Sequence, residues 1–227
     1  MIGKAYGVGV GPGDPELMTL KAVRLIKESR VIAVPGEDPK GSVAYRIAVQ
    51  AVPELAEKTL IALPTPMTMD RAALAAAHRR SADLVEEHLR TGENVICLVL
   101  GDPTVYCSFS YIDVLLKADG FETELVSGIT SFCAAAARLG TSLAESRDAL
   151  HIFPASQRKT LPEDLPGTWI LMKSGSRMAG VKEMIASSGR DACAVENCGM
   201  EGEKVYGSLE DIPDDAGYYT LIIAKER

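Results

Sequence analysis

An α/β chain of two domains is predicted, the first built on a parallel sheet and the second on a mixed one. Across residues 1–118, short apolar runs alternate with helical patterns, the β-α-β-α rhythm of parallel strands joined by crossover helices. Beyond Ala118-Asp119-Gly120 the rhythm changes: strands crowd together and only two or three short helices separate them. The boundary is therefore placed between residues 118 and 119. A chain of 227 residues, 47% hydrophobic and 24% charged, has the composition of a globular protein with enough length for two small domains.

Each element follows from local pattern. Ala5–Val10 and Val31–Val34 are short apolar runs, as buried strands require, and Leu17–Glu28 between them is a helix. Its residues Leu17, Met18, Leu20, Val23, Leu25 and Ile26 spread widely around the wheel, so it should be largely buried. Asp14-Pro15 supplies an N-cap and a proline at the first helical position. Leu60–Leu63 is a further strand. Asp70 caps a long helix that runs to Arg90 and stops at Thr91-Gly92. Asn94–Leu100 is nearly all apolar and β-rich, the mark of a central parallel strand, and a helix follows from about Tyr106 to Lys117. The second domain holds strands near Glu122–Val126, Leu150–Phe153, Trp169–Met172, Ala192–Glu196, Lys204–Tyr206 and Tyr218–Ala224, the last pairs close enough for antiparallel hairpins.

Composition excludes several functions. With 24 Lys+Arg against 31 Asp+Glu, the net charge of −7 opposes non-specific nucleic-acid binding, though not a local basic pocket. Aromatic residues are only 5% of the chain, too few for a base-stacking platform. The cysteines are Cys97, Cys107, Cys133, Cys193 and Cys198; their odd number and the lack of any CxxC point to free thiols in a reducing cytosol rather than disulfides or zinc. His78, His88 and His151 show no ligand spacing, and no metal is expected. No apolar h-region follows Met1 and no apolar run approaches the roughly 20 residues of a spanning helix, so a cytoplasmic location without membrane contact is expected.

The chemistry concentrates in small-residue loops. Gly7-Val8-Gly9-Val10-Gly11-Pro12-Gly13-Asp14 lies between the first strand and the first helix, where open α/β sheets bind ligands. It fails GxGxxG, since Pro12 or Asp14 falls on the last position, and no Gly-Lys-Ser/Thr follows to make a phosphate loop. Pro12 removes a backbone donor and Asp14 adds negative charge, so the loop suits a ligand without phosphate. Glu37 and Asp38 follow the second strand where a nicotinamide enzyme would place its ribose-binding acid, but that reading leaves the other loops unexplained. Those loops are Leu100-Gly101-Asp102-Pro103-Thr104-Val105-Tyr106, Ser127-Gly128-Ile129-Thr130-Ser131 and Val195-Glu196-Asn197-Cys198-Gly199, each at a strand's carboxyl end.

Together, VGVGPGD (8–14), LGDPTVY (100–106), SGITS (127–131) and VENCG (195–199) resemble the tetrapyrrole (corrin and porphyrin) methyltransferase family in order and spacing. KGSVAYRIA (40–48), PMTMDRAAL (66–74), SFSYID (108–113), SGITSFCAAAARLG (127–140) and MKSGSR (172–177) are most similar to its subgroup acting on the C20 carbon of precorrin-2 or cobalt-factor II. Ser127 departs from the proline most relatives carry. The resemblance implies the tetrapyrrole methylase fold, a homodimer, and S-adenosyl-L-methionine held in a cleft between the domains, leaving as S-adenosyl-L-homocysteine. Its contacts, carried over by motif, are Pro12, Leu100, Gly101, Asp102, Val105, Thr130, Ser131, Met172, Asn197, Cys198, Thr220 and Leu221.

In the reaction this implies, a sulfonium methyl moves by displacement to an electron-rich carbon of the substrate, and the positive charge is dispersed. Positioning and water exclusion should then dominate the rate, with no serine or cysteine nucleophile. Asp102 is the carboxylate expected at the cofactor, unless it caps a helix starting near Thr104, and Tyr106 is either a hydrogen-bond partner for substrate or a packed core tyrosine. A tetrapyrrole ringed with carboxylates calls for cations, for which Arg46, Arg147, Lys173 and Arg177 are the candidates.

Overall fold

The computed structural model describes residues 1–66, 68, 70–155 and 165–226; Met67 and Met69 of the PMTMDRAAL string lie outside the described residues. The chain forms two compact units, Met1–Thr130 and Ser131–Arg227. The division thus falls later than the 118/119 boundary expected from the sequence. The reason is the strand at Thr123–Val126, which pairs in parallel with the first strand of the chain and completes the first sheet.

In the first unit, β1 (Ala5–Gly9), β2 (Val31–Pro35), β3 (Thr59–Leu63), β4 (Val95–Val99) and β5 (Thr123–Val126) form a parallel sheet in the order β3-β2-β4-β1-β5. Side chains alternate across each strand and both faces are covered, which is why the strands read as continuous apolar runs. Ile32, Val34, Ile96 and Leu98 pack under α1 (Leu20–Glu28) and α2 (Val43–Ala51). Val31, Ala33, Val95 and Cys97 pack on the other face, under α3 (Arg71–Arg90) and α4 (Phe109–Ala118). The chain runs outward from β1 through β2 to β3, then returns to β4 and crosses to β5. The helices change face where it turns back, so β1 and β4 flank the switch point, where such sheets bind ligands outside the strands' carboxyl ends.

Local chemistry sets the helix starts. Asp14 accepts from the Glu16 N–H at 2.8 Å and caps a separate 3₁₀ turn, Pro15–Leu17, so α1 begins only at Leu20 under its own cap, Thr19. Asp70 caps α3 by accepting from the N–H groups of Ala72 and Ala73, and Gly92 closes it at φ +90°. α4 begins at Phe109 because Tyr106, at φ +48°, lies outside helical space. The Phe109 ring packs where Gly7 has no side chain; a Cβ there would lie 2.3 Å from Cδ1. α2 is an element the sequence pattern did not announce.

In the second unit, β6 (Leu150–Pro154), β7 (Thr168–Met172), β8 (Asp191–Glu196), β9 (Lys204–Tyr206) and β10 (Thr220–Lys225) form a sheet in the order β6-β7-β10-β8-β9. β6 and β7 are parallel and the other pairs antiparallel, the expected mixed sheet. Trp169, Leu171, Ala194 and Ile222 form its core with Met178, Val181 and Ile185 of α6 (Met178–Ser187). α5 (Ser131–Arg138) opens the unit. Because β10 runs against β7 and β8, its first residues lie beside their last ones.

Candidate active site

The glycine loops of the first unit meet at the switch point. Gly11 and Gly101 exchange backbone hydrogen bonds, at 3.3 Å and 2.8 Å, and so join the loops after β1 and β4. The loop after β5 presses against both: a Cβ on Gly128 would lie 2.2 Å from the Gly101 carbonyl oxygen, and one on Gly9 would lie 2.5 Å from it. Only glycine permits three backbones to approach this closely. Gly101 itself sits at φ +73°, open to most residues only with strain.

Asp102 fastens the cradle. It is buried, with 7% of its surface exposed. One carboxylate oxygen accepts from the backbone N–H and the hydroxyl of Thr104; the other accepts from the Gly128 N–H at 3.0 Å. Burial works to raise its pKa, but these bonds favour the charged form more strongly and hold the carboxyl below its ordinary value. Asp102 therefore forms a turn onto Thr104 and ties it to the loop after β5, rather than capping a helix.

The second unit repeats the device. Glu196, at the end of β8 and 8% exposed, accepts from the Gly217 N–H at 2.7 Å and from the Tyr206 hydroxyl at 2.8 Å. Burial opposes its charge, yet these donors and Lys204 lower its pKa. Burial first, and then the bond to Glu196, pushes Tyr206 up to about 12. The Asn197 N–H donates to the Tyr219 carbonyl at 3.2 Å, so the loop after β8 and the turn before β10 are held together. The loop after β7 joins them at Gly175, where a Cβ would lie 2.9 Å from the Tyr218 nitrogen.

Two further features mark these loops, the first shared with Ser146 between α5 and β6. Tyr106, Lys173 and Asn197 sit at φ +48°, +59° and +53°, a left-handed conformation uncommon outside glycine and most tolerated by asparagine. Such strain collects at functional sites. The hydroxyls of Thr130, Ser174 and Thr220 are buried without a hydrogen-bond partner among the described residues. A buried polar atom without a partner calls for one, and a ligand can supply it.

The structure groups most of the residues expected from sequence. Pro12, Leu100, Gly101, Asp102, Val105, Tyr106 and Thr130 lie on the strand-end loops of the first unit. Met172, Lys173, Asn197, Cys198, Thr220 and Leu221 lie at one end of the second sheet, with Thr220 beside Glu196 and Leu221 beside Val195. Ser131 opens α5, and Arg177 precedes α6. Arg46, exposed on α2, and Arg147, exposed between α5 and β6, make no side-chain bond to any of these loops among the described residues. Ser174 and Glu196 were not among the expected site residues. Both stand inside strings already singled out, and a small polar residue two positions after a strand was the available signal for Ser174.

Each unit thus gathers strand-end loops that present backbone groups and, among the described residues, unpartnered buried hydroxyls. Residues 4–213 match the family described as tetrapyrrole (corrin/porphyrin) methylases. A protein of Methanocaldococcus jannaschii named probable cobalt-precorrin-2 C(20)-methyltransferase is 34% identical over 229 residues, covering 99% of this chain and 97% of its own. The precorrin-2 C(20)-methyltransferase of a Sinorhizobium species is 31% identical, covering 98% and 95%. The crystal structure of the uroporphyrin-III C-methyltransferase of Thermus thermophilus complexed with S-adenosylhomocysteine shares the fold, with a TM-score of 0.72 at 24% identity over 99% of this chain and 98% of that one. The chain belongs to the tetrapyrrole methylase family and is a methyltransferase.

Proposed function

We propose that the chain transfers a methyl group from S-adenosyl-L-methionine to the C20 meso carbon of precorrin-2 or of cobalt-factor II, a step of cobalamin biosynthesis. End-to-end similarity to two C20-methyltransferases, at 34% and 31% identity, carries this reading.

The residues present fit the cofactor. Thr130 and Thr220, both proposed contacts, bury hydroxyls that lack partners among the described residues. Gly101 adds no side chain at the switch point, and Pro12 adds no backbone donor there. When bound, S-adenosyl-L-methionine supplies an electrophilic methyl on a sulfonium. The chain's own task is then to bind, orient and exclude water. Asp102, with both oxygens engaged, acts by holding Gly101 and Gly128 in place rather than by moving a proton. Tyr106, 49% exposed, offers its hydroxyl to substrate, and Lys173 and Arg177 offer positive charge to carboxylate arms. The resemblance further supports a homodimer working in the cytoplasm, while no helix among the described residues is long and apolar enough to cross a membrane.

Calorimetric titration with S-adenosylhomocysteine and with NADH tests the cofactor. Binding of the first and not the second is expected; the reverse would overturn the reading. Turnover of precorrin-2 and its cobalt complex, assayed side by side, then assigns the substrate.

A further inference from the structure

Outside the glycine cradle, two cavities open at the carboxyl ends of β2, β3 and β4. One, of about 170 Å³, is bordered by Leu100, Tyr106 and Ser108. The other, of about 380 Å³, lies between α3 and the turns after β2 and β3, with Glu37 and Arg80 on its walls. Thr65 lines both. The larger falls within the range of about 300–1,000 Å³ common for ligand pockets.

Arg80 is the notable wall residue. It is exposed, and its guanidinium has no ion pair or hydrogen bond among the described residues. Its neighbour Arg79, by contrast, is tied to Asp83, Glu86 and Asp119. An arginine kept out of internal pairing on a cavity wall presents the planar fork that recognises a carboxylate.

Family-wide and subgroup strings both reach this region. Those shared with the family at large, at 8–14, 100–106 and 127–131, build the cradle, and the string at 100–106 also borders the smaller cavity through Leu100 and Tyr106. Two that resemble the C20 subgroup, at 66–74 and 108–113, border the cavities through Pro66 and Ser108.

Resting on the methyltransferase reading above, we propose that this rim seats the acidic edge of the tetrapyrrole. Arg80 pairs with a side-arm carboxylate, and Glu37 on the same cavity repels an arm placed wrongly, so the two together select the substrate's orientation.

Anaerobic steady-state kinetics with precorrin-2, alongside S-adenosylhomocysteine calorimetry, test this on Arg80→Ala, Arg80→Lys and Glu37→Gln. Arg80→Ala should raise KM on the order of tenfold, the size of one charge-assisted hydrogen bond, with kcat and S-adenosylhomocysteine affinity as in the wild type. Arg80→Lys should recover part of the loss, and Glu37→Gln should lower KM. Added salt should raise KM more in the wild type than in Arg80→Ala. Retained S-adenosylhomocysteine affinity shows that each variant is folded. If the wild type turns over and Arg80→Ala keeps its KM, this inference falls and the methyltransferase reading stands. If the wild type neither binds S-adenosylhomocysteine nor methylates precorrin-2, both fall.

Discussion

Gly128→Ala adds one methyl group at the tightest point of the cradle. The new Cβ would lie 2.2 Å from the Gly101 carbonyl oxygen and 3.0 Å from the Gly9 backbone. Ordinary C···O contacts start near 3.3 Å, so the loops after β4 and β5 must part by roughly 1 Å. Both contacts are backbone, so no side chain can swing aside to relieve them. Overpacking of this kind costs about 1–3 kcal/mol. The same movement stretches the Gly128 N–H bond to Asp102, now 3.0 Å, and shifts Gly101 relative to Pro12. A displacement of about 1 Å in groups that position a reactant costs on the order of 10²-fold in rate. Gly180→Ala in α6 is the control: its Cβ meets nothing within 4 Å, and alanine in a helix should stabilise by about 0.5–1 kcal/mol. Calorimetry with S-adenosylhomocysteine and thermal melts read both variants. Gly128→Ala should melt lower and bind at least about tenfold more weakly, while Gly180→Ala should bind normally and melt no lower. Wild-type affinity and melting in Gly128→Ala would refute the cradle.

Asp102→Asn turns an amide NH₂ toward either the Thr104 or the Gly128 N–H, leaving one buried donor unsatisfied at about 1–3 kcal/mol. Its melting point and cofactor affinity should fall while turnover remains measurable; full cofactor binding with no detectable turnover would make Asp102 an obligatory acid or base. Lys173→Ala and Arg177→Ala should raise the tetrapyrrole KM with little change in kcat, read by steady-state kinetics. Glu124 on β5 accepts from Lys21 and Lys4, which lower its pKa to about 2. A carboxyl with a depressed folded pKa stabilises above its unfolded value near 4.5 and loses that contribution as pH falls toward about 2. With Glu124 about a third exposed the effect is modest and salt-sensitive, and Glu124→Gln should flatten the acid limb of a melting-versus-pH curve over that window.

The alternation of apolar runs and helices in the first unit was readable because parallel strands covered on both faces carry little else. The mixed second sheet was readable from the crowding of its strands. The boundary was misplaced because Thr123–Val126, a short edge strand, follows the change in pattern yet pairs with β1; pairing partners are not written in local sequence. α2 escaped notice because Val43–Ala51 is mostly apolar and only Arg46 and Gln50 mark its exposed face. The start of α4 was misread because a tyrosine at φ +48° leaves no compositional trace. In the site, glycines and strand-end loops were visible as motifs. The Glu196 brace was not, since it depends on Gly217 and Tyr206 being brought to it by the turn before β10 and by β9.

The central claim is methyl transfer to a meso carbon, and product analysis tests it most directly. Purified protein is incubated anaerobically with methyl-labelled S-adenosyl-L-methionine and precorrin-2 or its cobalt complex, and the product is examined by NMR. The account predicts one labelled methyl, attached at C20, with S-adenosylhomocysteine formed in equal amount. Label at another ring carbon, or none on either tetrapyrrole despite bound cofactor, would contradict it.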